Sequence, residues 1–290
     1  MDNPEEWEII EPISRNSKCS VNSVLVNGDK FISKQYFKTP LKRECLKLKK
    51  LKGLELKEVD IIRKEYNLMK KIQNSRTIDV FSLVDYGTSI YLLLEYGGDP
   101  LGTDNIQDTR RYAIQDVLIW MVQLTQGLKI MHDQGIIHGD FKPSNVLLLP
   151  NGRDIKICDF GSSIENVDDT RPIDKIPKCT PAYYSPELCE HSLNPKSMGI
   201  MGKPLDVWAL GVTIYKLLFG VIPFNCSGTI FQLQYSIIND LIEIPNEVLD
   251  QNDLFISIPK NFIKILLALL DKDPNQRMTI QELEKSLEGV

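Results

Sequence analysis

His138-Gly139-Asp140-Phe141-Lys142-Pro143-Ser144-Asn145, followed fourteen residues after Asn145 by Asp159-Phe160-Gly161, sets two carboxylates, a lysine and an amide close together in the chain. Taken singly, Asp140 or Asp159 is what any turn or helix cap uses. Three later stretches change that reading: Thr180-Pro181-Ala182-Tyr183-Tyr184-Ser185-Pro186-Glu187, then Asp206-Val207-Trp208-Ala209-Leu210-Gly211, then Asp271 to Arg277. Each could arise by chance, but all five in a fixed order over most of the chain form a specific pattern.

This order resembles the eukaryotic protein kinase domain. The first stretch stands where that family has its H-R-D-x-K-x-x-N catalytic loop, the second matches D-F-G, and Glu187 falls at the A-P-E end of the activation segment. The resemblance implies an α+β, bilobal protein-kinase fold, with a small β-rich lobe carrying one main helix and a larger, mostly helical lobe. It also implies ATP and Mg²⁺ as partners in phosphoryl transfer to protein substrates. That chemistry needs an in-line nucleophile, a held phosphate and neutralised charge. Asp140 is then the base for the substrate hydroxyl, Lys142 lies beside the transferred phosphate, and Asn145 and Asp159 hold Mg²⁺ through hard oxygens. Lys142 and Thr180-Pro181 resemble the serine/threonine branch rather than the tyrosine kinases.

Toward the amino terminus, Phe31-Ile32-Ser33-Lys34 stands where the family has V-A-I-K, so Lys34 is the expected grip on the α- and β-phosphates. Lys30 and Lys38 are alternatives, but Lys34 shares an alternating face with Ile32 and Tyr36. Ile62, Glu65, Met69 and Ile72 recur at helical spacing, and Glu65, acidic on an apolar face, is the expected partner of Lys34. Leu94-Glu95-Tyr96-Gly97 resembles the hinge, with the Glu95 carbonyl and Gly97 amide toward adenine and Leu94 as gatekeeper. Leu147 is a further expected lining residue of the nucleotide pocket, and Cys158, before D-F-G, reads as a small apolar filler. Met69, Leu83, His138 and Phe160 match the family's hydrophobic column, which makes His138 packed structure rather than a base. His132 and His191 read as structural or surface.

Several positions depart from the family. The glycine-rich loop aligns with Ser14-Arg15-Asn16-Ser17-Lys18-Cys19-Ser20-Val21, in which no glycine remains. Ser14, Asn16, Cys19 and Val21 should therefore hold nucleotide less closely, with Asn16 tolerating left-handed φ better than most residues. Ile32 narrows the slot above adenine. Gly139 replaces the arginine that pairs with an activation-segment phosphate. The segment between Lys34 and Glu65 is long and basic.

Length and composition agree with two lobes. At 290 residues the chain reaches the size, about 250 to 300, at which single cores stop growing. The small lobe is expected at 1–96, with a basic insert at about 38–58, and the larger at 97–290, the break falling at Gly97-Gly98-Asp99-Pro100. Strands are expected at Ser20 to Val26 and Lys30 to Phe37 around an Asn27-Gly28-Asp29 turn, with further strand at 78–96. Helices follow at Ala113 to His132, Val207 to Phe219 and Phe262 to Leu270; the second is apolar all round, so it should be central.

Net charge is -5, yet residues 30–76 carry 15 Lys/Arg against 5 Asp/Glu. An acidic partner is one reading of region 38–76, a solvated helical face the other. Within 38–76 Tyr66 is the one aromatic, too little for a base-stacking platform, which argues against nucleic acid. The six cysteines show no zinc spacing and read as reduced thiols. An acidic start and the lack of any apolar run of about 18 residues argue against a signal peptide and a membrane span. A cytoplasmic location is expected, with the nucleus also open, and oligomeric state is not readable.

Lys34, Glu65, Asp140, Asn145 and Asp159 favour an active kinase over a pseudokinase scaffold. A small-molecule kinase fits less well, because the activation segment and Glu187 are present. Between Gly161 and Thr180 the hydroxyls are Ser162, Ser163 and Thr170, and Asp168, Asp169 or Asp174 are available to basic neighbours. With Gly139 unable to reach a phosphate, Thr170→Ala should keep initial rates within about threefold, and a tenfold loss would contradict this reading.

Overall fold

A computed structural model of the chain describes residues 3–105, 107–166, 168, 171–173, 176–194, 199–224, 228–252 and 254–288. Asp169, Thr170 and Asp174, named above, and Cys226, one of the six cysteines, lie outside the described residues. The chain divides into two compact units, 1–97 and 98–290.

The first unit is built on one antiparallel sheet of β1 (Glu8–Arg15), β2 (Cys19–Val26), β3 (Asp29–Phe37), β4 (Val80–Tyr86) and β5 (Ser89–Glu95), in the order β1-β2-β3-β5-β4. Asn27 and Gly28 join β2 to β3 with φ of 54° and 87°, the two positive values that a tight hairpin matching strand twist requires. A second two-residue turn at Gly87 and Thr88 divides the 78–96 region into β4 and β5. On one face Trp7, Val24, Val26, Phe31 and Leu93 form a core cluster, with Trp7 edge-on to Tyr91. Ladder pairing sets Cys19 against Tyr36, Val21 against Lys34, Ile32 against Leu94 and Lys34 against Leu92. Alternation therefore carries Cys19, Val21, Ile32, Lys34, Tyr36, Leu92 and Leu94 together onto the opposite face.

Two helices accompany the sheet. The main one, α2 (Glu58–Lys71), starts where the Asp60 carboxylate accepts the Lys57 amide, and it buries Ile62 and Met69. The basic insert forms the other, α1 (Lys38–Lys52). Leu41 is buried at its inner face, Lys49, Lys50 and Lys52 lie in the last turn where the helix dipole favours cations, and Gly53 ends it at φ 66°. Leu46 and Leu51 project outward from it, Leu51 at 81% exposure.

The second unit contains β6 (Asp99–Pro100), α3 (Ile114–Asp133), β7 (Ile136–Ile137), β8 (Val146–Leu148), β9 (Ile155–Ile157), β10 (Ile164–Glu165) and α4 (Pro186–Leu193). It continues through α5 (Gly202–Phe219), α6 (Ile230–Asn239), β11 (Glu247–Leu249), β12 (Phe255–Ser257), α7 (Lys260–Leu269) and α8 (Ile280–Leu287). Helix α5 is buried along nearly its whole length, as a helix apolar on all sides must be. It begins a turn before Val207 because Pro204 fits a first turn, where its missing N–H would have had no helical partner. Gly220, at φ 72°, closes it.

Beneath the start of α4, Arg277 makes a two-pronged bond to Glu187, at 2.7 Å to Oε1 and 2.9 Å to Oε2. The guanidinium is fully buried, also donates to the Pro204 carbonyl, and lies over the Trp208 ring. Removing one partner strands the other charge away from water, so Glu187→Ala should cost on the order of 3 to 5 kcal/mol. Chemical denaturation of both proteins measures this, and an unchanged midpoint would show that the pair carries no load.

Candidate functional site

In the second unit the site is built outward from Asp206 on α5, which is 1% exposed. Its Oδ2 accepts the His138 amide at 2.8 Å and faces His132 Nε2 at 2.9 Å, and its Oδ1 accepts the Gly139 amide at 2.9 Å. His132 is thus an internal residue at α3 and not a surface one. A buried carboxylate requires such donors, and here two of them are the backbone of the loop carrying Asp140. His138 is fully buried between Phe141 and Phe160, with its Nε2 3.1 Å from the Cys158 carbonyl, so its role is packing.

The loop continues through a 3-10 turn at Pro143–Asn145 into the β8–β9 hairpin. Pairing of Val146 with Ile157, and the Cys158 amide on the Asn145 carbonyl at 2.9 Å, bring the Asn145 and Asp159 ends of these strands side by side. Asn145 Nδ2 donates to the Asp140 carbonyl at 2.8 Å, which leaves the amide oxygen as its acceptor. Asp159 has φ 60° and ψ 77°, a left-handed conformation uncommon outside glycine and one that collects at functional sites.

Asp140 Oδ1 accepts both the amide and the hydroxyl of Thr180, at 2.7 and 2.8 Å. Its Oδ2 is 3.1 Å from Lys142 Nζ, which also donates to Thr180 Oγ1 at 2.7 Å and meets Asp104 at 3.0 Å. Burial works against the Lys142 charge, but Asp140 and Asp104 outweigh it and hold the ammonium above its ordinary range. For Asp104, burial pushes upward, yet the Ser144 hydroxyl at 2.7 Å and Lys142 leave its carboxyl below the usual range. Asp104 was not singled out from the sequence, since it lies in an irregular loop 38 positions before Lys142 with no motif to mark it. A cavity of about 200 Å³ opens alongside, its walls including Asp104, Thr180, Pro181, Tyr183, Lys216 and Leu233.

Among the described residues no cluster of three or more His, Cys, Asp or Glu could hold a metal ion. Asn145 and Asp159 nevertheless make a hard-oxygen pair of the kind Mg²⁺ uses when water and phosphate supply its remaining ligands. Leu147 is half-buried on β8, beside this pair.

In the first unit Lys34 Nζ is 2.9 Å from Glu65 Oε1, with both side chains largely buried. Lys30 lies instead over the Tyr96 ring, and Lys38 pairs with Asp85. Val21, Ile32 and Leu94 share the Lys34 face, whereas the Glu95 carboxylate turns to the Asp79 amide at 3.1 Å. Gly97 is buried and Ser14 is exposed on β1. In the glycine-free turn, Asn16 Oδ1 accepts the amides of Lys18 and Cys19 at 2.8 and 2.9 Å. The loop therefore ties up two of its own amides.

Among the described residues the activation-segment hydroxyls are also engaged: Ser162 donates to the Lys178 carbonyl at 3.0 Å and Ser163 to the His138 carbonyl at 2.9 Å. Asp168 meets Arg171 at 3.0 Å on the surface. Burial, with Asp140 and Asp206 nearby, pushes the Cys179 thiol far up.

A family model described as the protein kinase domain matches residues 38–287. The serine/threonine-protein kinase ssp1 of Schizosaccharomyces pombe is 36% identical over 237 residues, covering 77% of this chain and 33% of that protein. SNF1-activating kinase 1 of Saccharomyces cerevisiae is 30% identical over 277 residues, 81% of this chain and 23% of that protein. The serine/threonine-protein kinase TOS3 of Saccharomyces cerevisiae is 30% identical over 259 residues, 80% and 44% respectively. The chain spans less than half the length of these relatives.

Gly139 has φ 78°, and a Cβ there would lie 2.7 Å from the Pro177 Cβ and 2.9 Å from the Ser162 carbonyl oxygen. Neither neighbour is the free end of a flexible side chain. Gly139→Ala should thus destabilise by on the order of 2 kcal/mol, and Gly139→Arg by no less while giving no gain in activity. Denaturation midpoints and initial rates test this, and a more active Gly139→Arg protein would contradict it.

Proposed function

The chain belongs to the eukaryotic protein kinase family, its relatives are serine/threonine kinases, and on that premise we propose that it transfers the γ-phosphate of ATP to serine or threonine hydroxyls of proteins with Asp140 as the base. The observation that carries this reading is the Thr180 hydroxyl bonded to Asp140 at 2.8 Å, with Lys142 closing the third side. Asp140 stands as an acceptor for an alcohol proton, and Lys142 as a cation beside it.

In the transfer, the substrate oxygen bonds to the γ-phosphorus, the bond to the β–γ bridging oxygen breaks, and ADP leaves. The hydroxyl proton passes to Asp140. Lys142 balances charge on the moving phosphoryl group, while Lys34, held by Glu65, takes the α- and β-phosphates. Asn145 and Asp159 would hold Mg²⁺, which when bound would supply charge neutralisation on the phosphates. Val21, Ile32, Leu94, Leu147, the Glu95 carbonyl and the Gly97 amide serve the adenine end, and Ser14, Asn16 and Cys19 cover the phosphates loosely.

One relative is by name an SNF1-activating kinase, which makes SNF1 the defined substrate to assay first. The outward basic face of α1 is open to an acidic partner. We place the protein in the cytoplasm or nucleus; among the described residues no helix is long and apolar enough to cross a membrane.

The pseudokinase alternative draws support from Asn16, whose side chain consumes two amides that the family loop offers to phosphate. Turnover separates the two. Asp140→Asn should lose roughly 10² to 10⁴ in kcat and still bind Mg-ATP, whereas Asp159→Asn should lose the Mg²⁺-dependent part of that binding. Equal turnover in the wild type and Asp140→Asn would remove Asp140 from the chemistry and favour the scaffold.

A further inference from the structure

Glu65 makes two bonds, and the pairing with Lys34 accounts for one. Its Oε1 faces Lys34 Nζ at 2.9 Å, while its Oε2 accepts the phenol of Tyr36 at 2.6 Å. Tyr36 lies two residues after Lys34 on β3, so both side chains leave the same face of the sheet, and Lys34 Nζ is 5.4 Å from the Tyr36 ring centroid. The Glu65 side chain is 9% exposed. Burial, reinforced by the Glu65 charge, holds the phenol well above its ordinary range, so it remains a donor throughout the physiological span.

We propose that Tyr36 is a positioning residue for the Lys34–Glu65 pair. This rests on the phosphate-gripping role proposed for Lys34. A single ion pair is a point contact: the carboxylate can rotate, and α2 can pivot about it. A second bond, to a residue about 7 Å further along the same strand, fixes the orientation of the carboxylate and of α2 as well as its distance. Both oxygens of Glu65 are then occupied by β3, and the ammonium is presented in one place by contacts internal to this unit. A hydrogen bond to a buried charge is among the stronger kinds, which gives the tyrosine enough weight to matter.

A cycle of Tyr36→Phe, Glu65→Ala and the double variant in the full chain tests the proposal. Tyr36→Phe keeps the ring and removes the hydroxyl alone. Affinity for Mg-ADP is read by calorimetry, kcat/KM for transfer to a generic basic protein by initial rates, and opening of α2 by amide hydrogen exchange. Tyr36→Phe should weaken Mg-ADP and lower kcat/KM by about tenfold in the wild-type background, and by less than about twofold when Glu65 is already alanine. Exchange across 58–71 should rise, with α3 unchanged. Equal losses in both backgrounds would mean that Tyr36 does not act through Glu65, and no loss in the wild-type background would overturn the proposal outright. If the protein binds Mg-ADP without transferring phosphate, the enzyme reading fails and the affinity cycle still decides the role of Tyr36. If it binds no nucleotide, unchanged exchange in α2 of Tyr36→Phe counts against the proposal and faster exchange confined to α2 supports it.

Discussion

Burying a carboxylate in an apolar helix costs several kcal/mol unless strong donors surround it, and Asp206 on α5 lies in that situation at 1% exposure. The donors it takes are the amides of His138 and Gly139, together with His132 from α3. The requirement acts in both directions. The carboxylate needs those amides, and the loop that carries Asp140, Lys142 and Asn145 supplies them in the conformation seen here. That conformation brings Gly139 to φ 78° against Pro177 and Ser162, where a side chain does not fit. The cluster of Asp140, Lys142, Asp104 and the Thr180 hydroxyl therefore stands on a loop whose backbone is bonded to a buried carboxylate of the core.

The same logic makes the departures from the family pattern intelligible. Gly139 has no guanidinium to offer, and the described part of the activation segment is tied by hydroxyl-to-carbonyl bonds from Ser162 to Lys178 and from Ser163 to His138. In the glycine-free turn, Asn16 supplies by side-chain bonding the closure that glycine would otherwise allow by conformation. That closure withdraws two amides from any phosphate. Lys34, Glu65, Asp140, Asn145 and Asp159 remain, so under the proposed function the cost falls on nucleotide affinity before it falls on chemistry.

Features with a local signature were legible in the sequence. Asn27-Gly28 between alternating apolar residues specifies a hairpin, and a nearly all-apolar run specifies α5 as a buried helix. Glu65 stood out because a lone acid on an apolar face needs a partner. The β4–β5 turn was less visible, since Gly87-Thr88 is a weak break within an apolar stretch. Two remote pairs with no motif or lone acid to mark the pairing left no trace: Asp206 with His132 spans 74 positions, and Asp104 with Lys142 joins an irregular loop to a motif. Tyr36 carried a period-two signal but none that named Glu65 as its acceptor. Such contacts are set by how helices and strands pack, and periodicity reports which side of an element is buried without saying against what.

The proposed activity is transfer of phosphate onto serine and threonine. Incubation with γ-labelled ATP, Mg²⁺ and a generic basic protein, followed by acid hydrolysis and separation of the phosphoamino acids, tests it most directly. Catalytic label is expected in phosphoserine and phosphothreonine, with one ADP formed for each phosphate transferred and no phosphotyrosine. Nucleotide bound at saturation with no label above that of an Asp140→Asn sample would contradict it and leave a scaffold in its place.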